Sequence, residues 1–216
     1  NIDKSPKISD AKKTQYKGEA HFLRGLYYFN LVRLFGDVPW IDKQQTASDD
    51  LQVSRTSKDI VYQHIIDDFS DAASMLPAVY ENTTDIGRAT KGAAFGLLAK
   101  VYLTLKRYNE TLVAIDSVMN LGVYSLNRKY EWNFSDLREN GPESLFEVQY
   151  EKDVTAYSEF DILGQGGWHH EYMAPLASIN IGGPWGNFGW FAVYPEFVES
   201  YEPGDLRKSV SVWCEG

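Results

Sequence analysis

Residues 9–39 read SDAKKTQYKGEAHFLRGLYYFNLVRLFGDVP, and this stretch decides the fold because it carries a long helical pattern. Apolar side chains recur along it at steps of three and four residues, as they do on one face of an α-helix. The predicted core stripe comprises Tyr16, Ala20, Leu23, Tyr27, Leu31 and Leu34. The apolar residues beside that stripe indicate a helix buried between neighbours. These neighbouring residues are Phe22, Leu26, Phe29 and Val32. The helix is expected to end at Gly36, since Pro39 cannot continue it.

A second helix is predicted from Thr56 or Ser57, either of which can cap it, to the residue before Pro77. Its core stripe is Val61, Ile65, Phe69, Ala72 and Leu76. Three aspartates lie off that stripe and are predicted to face solvent, because a run of like charges is usually a solvated face. They are Asp67, Asp68 and Asp71.

Two further helices are predicted, one starting after Thr90 and one over residues 110–121. The third helix has a core face of Ala94, Leu97, Leu98, Val101 and Leu105, and the fourth carries Leu112, Ile115 and Met119. Small residues on the third helix and a short turn resemble one tetratricopeptide unit. Residues 9–122 are therefore expected to form a mainly α scaffold with one tetratricopeptide-like hairpin.

The remainder, about residues 123–216, is predicted to be loop-rich. Apolar and polar residues alternate from Phe146 to Tyr150, which predicts a short strand. Residues 164–191 contain seven glycines and six aromatic side chains and keep no helical or strand period. Pro195 suits the first turn of a short amphipathic helix.

The whole chain has 216 residues, with 21 Lys and Arg against 30 Asp and Glu, which gives a net charge of −9. This acidic balance argues against a nucleic-acid partner, because phosphate binding needs clustered basic residues. Cys214 is the single cysteine, which excludes an internal disulfide and a cysteine-based zinc site. No run reaches the 18 or so apolar residues of a membrane span.

The sequence motifs give little support for an enzyme. The glycine-rich stretches lack the Lys-Ser or Lys-Thr pair that holds phosphates, and no nucleophile elbow occurs. His169, His170 and Glu171 are adjacent, so they cannot converge on one metal ion from a regular strand or helix. No metal and no cofactor is expected, and His21 and His64 are interpreted as structural.

The segment 164–191 carries the functional prediction. Aromatic rings pack against the C–H faces of sugars, and a long loop inside a compact domain is often functional. The predicted ligand platform is Trp168, Tyr172, Trp185 and Trp190, with Asn187 and His169 as polar partners. Trp40, in the turn after the first helix, is a further candidate.

Three stretches resemble the SusD/RagB family of surface lipoproteins of Bacteroidetes outer membranes. They are residues 19–39 (EAHFLRGLYYFNLVRLFGDVP), residues 87–103 and residues 201–207 (YEPGDLR). The last stretch has Leu206 where the family usually has Pro. Family members are longer, and no lipidated cysteine is found here, so the chain resembles the central part of such a protein. Residues 1–216 are thus expected to be a partial SusD-like domain.

The resemblance implies a non-enzymatic binder of oligosaccharides or other nutrients at the outer-membrane surface. It also implies a partner, a SusC-like TonB-dependent transporter, and a lipid anchor outside this chain. Arg24, Arg33 and Asp37 are then expected to be structural ion-pair or capping groups. Two alternatives stay open: a helical scaffold that binds a protein partner without a small ligand, and a glycoside hydrolase.

Overall fold

The computed structural model describes residues 2–46, 52–149 and 193–211, and the structural statements below concern these residues. The helices are α1 (Asp10–Phe35), α2 (Lys58–Met75), α3 (Lys91–Thr104), α4 (Tyr108–Asn120), α5 (Pro195–Glu199) and α6 (Lys208–Ser211). The mainly α fold with helical hairpins is confirmed: α1 packs on α2, α2 on α3, and α3 on α4. The four predicted helices of residues 9–122 are all present.

The helix ends follow the capping residues of the sequence. The Ser9 hydroxyl accepts a hydrogen bond from the Lys12 amide, and Thr90 accepts one from the Ala93 amide at 3.1 Å. Gly36 ends α1 with φ of +69°, a left-handed conformation that favours glycine. At α2, the Ser57 side chain makes no capping bond, and the Asp37 carboxylate accepts from the Lys58 amide at 2.8 Å instead.

The core face of α1 differs from the predicted stripe. The buried side chains are Phe22, Phe29 and Val32, whereas Tyr27 is 64% and Leu34 76% exposed. Two neighbouring apolar stripes run along this helix, and the helical period fits both equally well. The buried stripe is the one that contains the glycines of α1. At these glycines α2 approaches α1 closely. The predicted stripe was therefore wrong.

On α4 the buried residues are also not the large apolar ones. The buried residues are Thr111, Ala114 and Val118. The apolar residues noted in the sequence are exposed: Leu112 by 61%, Ile115 by 44% and Met119 by 67%. The small residues allow α3 and α4 to approach closely, so the larger apolar side chains remain outside.

The predicted stripe of α2 is confirmed, since Val61, Ile65, Phe69, Ala72 and Leu76 are all buried. The solvated face predicted for its aspartates is wrong at Asp68, which is only 2% exposed because it pairs with groups on α1. Asp67 and Asp71 are exposed, as predicted.

The predicted strand at 146–150 does not form over residues 146–149, and Tyr150 lies outside the described residues. In the described part of the chain, extended pairing is limited to one antiparallel bridge between Val38 and Thr56. The Phe146 ring packs against Phe22, with ring centroids 4.9 Å apart, whereas Val148 is 65% exposed, so the alternating apolar residues do not share one buried face.

The chain divides into two compact units. The first combines the residues up to Asn127 with Arg138–Glu147, and the second combines Arg128–Leu137 with the chain from Val148 onward. α1 to α4 belong to the first unit, and α5 and α6 to the second. The predicted division of the chain near residue 122 into a scaffold and a ligand-binding part stays a prediction.

Gly18 should be required for the close contact between α1 and α2. A Cβ at this position would lie 2.9 Å from Met75 Cβ and 3.0 Å from Leu76 Cγ. We expect Gly18→Ala to lower the free energy of unfolding by about 1 kcal/mol, since overpacking outweighs the gain in helix propensity. Urea denaturation measures this change. The Ala20→Gly variant, at an exposed position of the same helix, measures the difference in helix propensity between alanine and glycine without a packing contact. A Gly18→Ala variant more stable than the parent would show that the close contact does not restrict this position.

Candidate functional site

The turn that carries Trp40 is held firmly by both helices that flank it. The Tyr28 hydroxyl on α1 accepts a hydrogen bond from the Ile41 amide at 2.8 Å and donates to the Pro39 carbonyl at 3.2 Å. One hydroxyl thus holds the backbone on each side of Trp40. The bridge between Val38 and Thr56 ties the same turn to the start of α2.

Three side chains lie against the Trp40 indole, which is half-buried. The His64 imidazole stacks on it with centroids 4.5 Å apart and an interplanar angle of 18°. The Tyr28 ring lies 4.2 Å away, and the Arg24 guanidinium carbon is 5.1 Å from the indole centroid. A sugar that stacked on the face covered by His64 would have to displace the imidazole. Ligand contact by Trp40 stays a prediction.

A partly buried ion pair, in which only Asp68 is fully buried, lies beside this turn and joins α1 to α2. Arg24 donates from Nε to Asp68 Oδ2 at 2.8 Å and from Nη2 to Asp68 Oδ1 at 2.6 Å. His21 Nδ1 lies 2.7 Å from the same Oδ1. Hydrogen bonding to Asp68 raises the pKa of the Arg24 guanidinium. The structural role expected for Arg24 is therefore confirmed.

The other two charged residues that were expected to be structural also contact groups within the first unit. Asp37 caps α2, as described above. Arg33 lies over the Phe29 ring, with its guanidinium carbon 5.1 Å from the centroid, so it makes a cation–π contact.

Most of the predicted ligand platform falls outside the described residues. These residues are Trp168, His169, Tyr172, Trp185, Asn187 and Trp190, and their assignment stays a prediction. Over residues 2–46, 52–149 and 193–211, no group of three or more His, Cys, Asp or Glu could hold a metal ion. Among the same residues, no helix combines the length and the hydrophobicity that crossing a bilayer requires.

Two features of the first unit were not predicted from the sequence. One is the buried Asp68, which Arg24 could have indicated, since a guanidinium on a largely apolar helix favours a carboxylate partner. The other is an apolar groove of about 270 Å³ between α3 and α4. Its lining residues are Phe95, Leu98, Tyr102, Asn109, Glu110, Val113, Ala114 and Ser117.

A model of the SusD-like family, described as starch-binding and associating with the outer membrane, matches residues 1–103. These residues include α1, α2 and most of α3. A SusD-like protein of Bacteroides ovatus is 32% identical over 220 aligned positions, which cover 97% of this chain. The chain belongs to the SusD/RagB family.

Solved structures share the helical fold of this chain. Surface glycan-binding protein A from Bacteroides fluxus matches 97% of this chain and 45% of its own, with a TM-score of 0.80 and 26% identity. A laminarin-binding SusD-like protein matches 69% of this chain and 33% of its own, with a TM-score of 0.63 and 28% identity.

The present SusD-like chain is short relative to its relatives. It spans 38% of the length of the B. ovatus protein and between 35% and 44% of three other curated SusD-like relatives. The matches therefore concern the shared helical part and the segment that follows it.

Proposed function

We propose that this SusD-like chain takes part in the binding of oligosaccharide without changing any covalent bond of the ligand. The observation that carries the proposal is the match of residues 1–103 to a family described as starch-binding. The laminarin-binding neighbour, which shares the fold at 28% identity, supports the same ligand class. The predicted Trp and Tyr platform would supply the stacking, since aromatic rings bury a large area at a low entropic cost.

The finer part of the proposal concerns place and partner. The family description includes association with the outer membrane, which supports a location at the cell surface. Bound glycan would then pass to a SusC-like TonB-dependent transporter, the partner that the family resemblance implies. In this scheme α1 to α4 hold the fold, and the segment after α4 contacts the ligand.

Titration with laminarin and starch oligosaccharides tests the glycan proposal. We expect calorimetric heat and a change in Trp fluorescence, and at least tenfold weaker binding for the double variant Trp168→Ala with Trp190→Ala, which corresponds to about 1.4 kcal/mol or more. Trp132→Phe is the control, because Trp132 is not among the predicted ligand contacts. The absence of heat with every glycan of a broad panel would reject the proposal, and release of reducing sugar would favour a hydrolase.

A second candidate function is the docking of a protein partner on the helical hairpin. The apolar groove between α3 and α4 and the exposed Leu112 and Met119 favour it, since exposed apolar surface often marks an interaction site. Leu112→Ser with Met119→Ser should then weaken association with the transporter and leave glycan binding unchanged. The two tryptophan substitutions should give the opposite result.

A further inference from the structure

A cavity of about 260 Å³ lies in the first unit, between the connection from α2 to α3 and two later segments. The connection contributes residues 78–80, 85–88 and 90, and the later segments contribute residues 123–124, 140–142 and 144–147. None of its lining residues belongs to the ligand platform predicted from the sequence. The cavity therefore needs a separate explanation.

Three aromatic side chains line the cavity, and each is held by contacts with neighbouring residues. Tyr124 shares a hydrogen bond of 2.9 Å with the Thr90 hydroxyl, and its ring lies so close to Gly92 that a Cβ there would be 2.3 Å away. The Phe146 ring packs edge-on against the buried Phe22. The Tyr80 hydroxyl donates to the Ala89 carbonyl at 2.8 Å, and burial raises the pKa of this phenol. These side chains are preorganised, which lowers the entropic cost of binding.

The charged groups of the lining already have partners, and carboxylates outnumber the single guanidinium among them. Arg88 Nε pairs with Asp85 at 2.8 Å, and Arg88 Nη1 pairs with Glu19 at 2.8 Å. Glu147 Oε2 accepts from the Asn140 amide at 2.9 Å. A guanidinium that lies between two carboxylates attracts an anion only weakly. The carboxylates accept hydrogen bonds, the guanidinium donates them, and the Ser144 hydroxyl can do both, so the lining suits ligand groups that both donate and accept.

We propose that this cavity is a binding site for one neutral sugar ring, separate from the predicted aromatic platform. Aromatic side chains match the C–H faces of a pyranose, and the mixed donors and acceptors match its hydroxyls. The volume lies just below the usual range for ligand pockets, so a single ring is the appropriate size. The proposal does not rest on glycan delivery to a transporter, since the lining residues alone carry it.

Titration of the chain with methyl glucosides, galactosides and mannosides tests the proposal. We expect a dissociation constant of roughly 1 mM for at least one of them, as is typical of so small a ligand. Val79→Phe should weaken this binding at least tenfold, because Val79 lines the cavity and is 58% exposed, so that a larger side chain can block the cavity without disturbing the core. Ser144→Phe provides a second blocking variant. Ile60→Phe, at a similarly exposed residue of α2 outside the cavity, should bind like the parent.

Amide hydrogen exchange supplies an independent readout. Bound sugar should slow exchange over residues 140–147 in the parent and in the variant with Trp168→Ala and Trp190→Ala. If no methyl glycoside binds, or if Val79→Phe and Ser144→Phe bind like the parent, the proposal is wrong. Tighter binding of inorganic phosphate or glucuronate than of the neutral sugars would also overturn it. Loss of oligosaccharide binding together with retained methyl glycoside binding would reject the proposed function and leave this site standing.

Discussion

Replacing Asp68 by Ala should lower the free energy of unfolding by about 3 kcal/mol, because it leaves the Arg24 guanidinium and His21 without their shared partner. Asp68 is 2% exposed, and its carboxylate makes three short contacts with groups on α1: two hydrogen bonds from Arg24 and one contact with His21. Removing one member of a buried ion pair costs more than the pair contributes, since the remaining charge stays poorly solvated. The Arg24 side chain is 32% exposed, which places the expected loss at the lower end of the range for such changes.

Urea denaturation of Asp68→Ala and Asp67→Ala measures this effect at neighbouring positions of one helix. Asp67 is exposed and bonds only locally, to Gln63 on the same helix at 2.9 Å, among the contacts of the described residues. Its replacement should change stability by no more than about 0.5 kcal/mol. Equal losses in the two variants would show that the ion pair does not hold α1 against α2.

Replacing Phe22 by Ala should cost about 4 kcal/mol, the largest effect that we expect from a single substitution. Phe22 is fully buried and packs edge-on against Phe69 at 5.9 Å and Phe146 at 4.9 Å. Truncation would remove both ring contacts and leave a cavity between α1, α2 and the segment that carries Phe146. These neighbours cannot close the cavity easily, because each is held by its own helix or by further contacts.

Leu23→Ala is the matched control for Phe22→Ala, since Leu23 follows directly on α1 and is 43% exposed. Its replacement should cost less than about 1 kcal/mol. The pair of variants therefore decides which of the two apolar stripes of α1 faces the core. A larger loss for Leu23→Ala, measured by thermal or urea unfolding, would restore the stripe that the periodicity favoured.

The helix boundaries could be predicted because they depend on local chemistry. Ser9, Thr90 and Gly36 act within one turn of the helices that they flank, so neighbouring residues determine their role. The core face of α2 was also predictable, since it has only one apolar stripe. α1 and α4 each have two rows of residues that could face the core. Which row is buried depends on the small residues at which a neighbouring helix can approach closely.

The site was less predictable for the same reason. Arg24 and Asp68 are 44 positions apart in sequence, so their pairing depends on how α1 packs against α2. The contacts of Trp40 with His64 and Arg24 also cross between elements. A sequence pattern indicated that Trp40 lies in a turn, but only the packing of both helices shows that other side chains lie against its ring.

The exposed apolar stripe of α1 bears on the behaviour of the chain in solution. Tyr27, Leu34 and Phe35 are each more than 60% exposed, and such surface favours contact between copies wherever nothing covers it. The net charge of −9 opposes that contact by repulsion between like-charged molecules. Added salt screens the repulsion, with a Debye length of about 8 Å at 0.15 M, but leaves the apolar attraction in place. We therefore expect a rise in ionic strength to favour contact between copies wherever this stripe is uncovered.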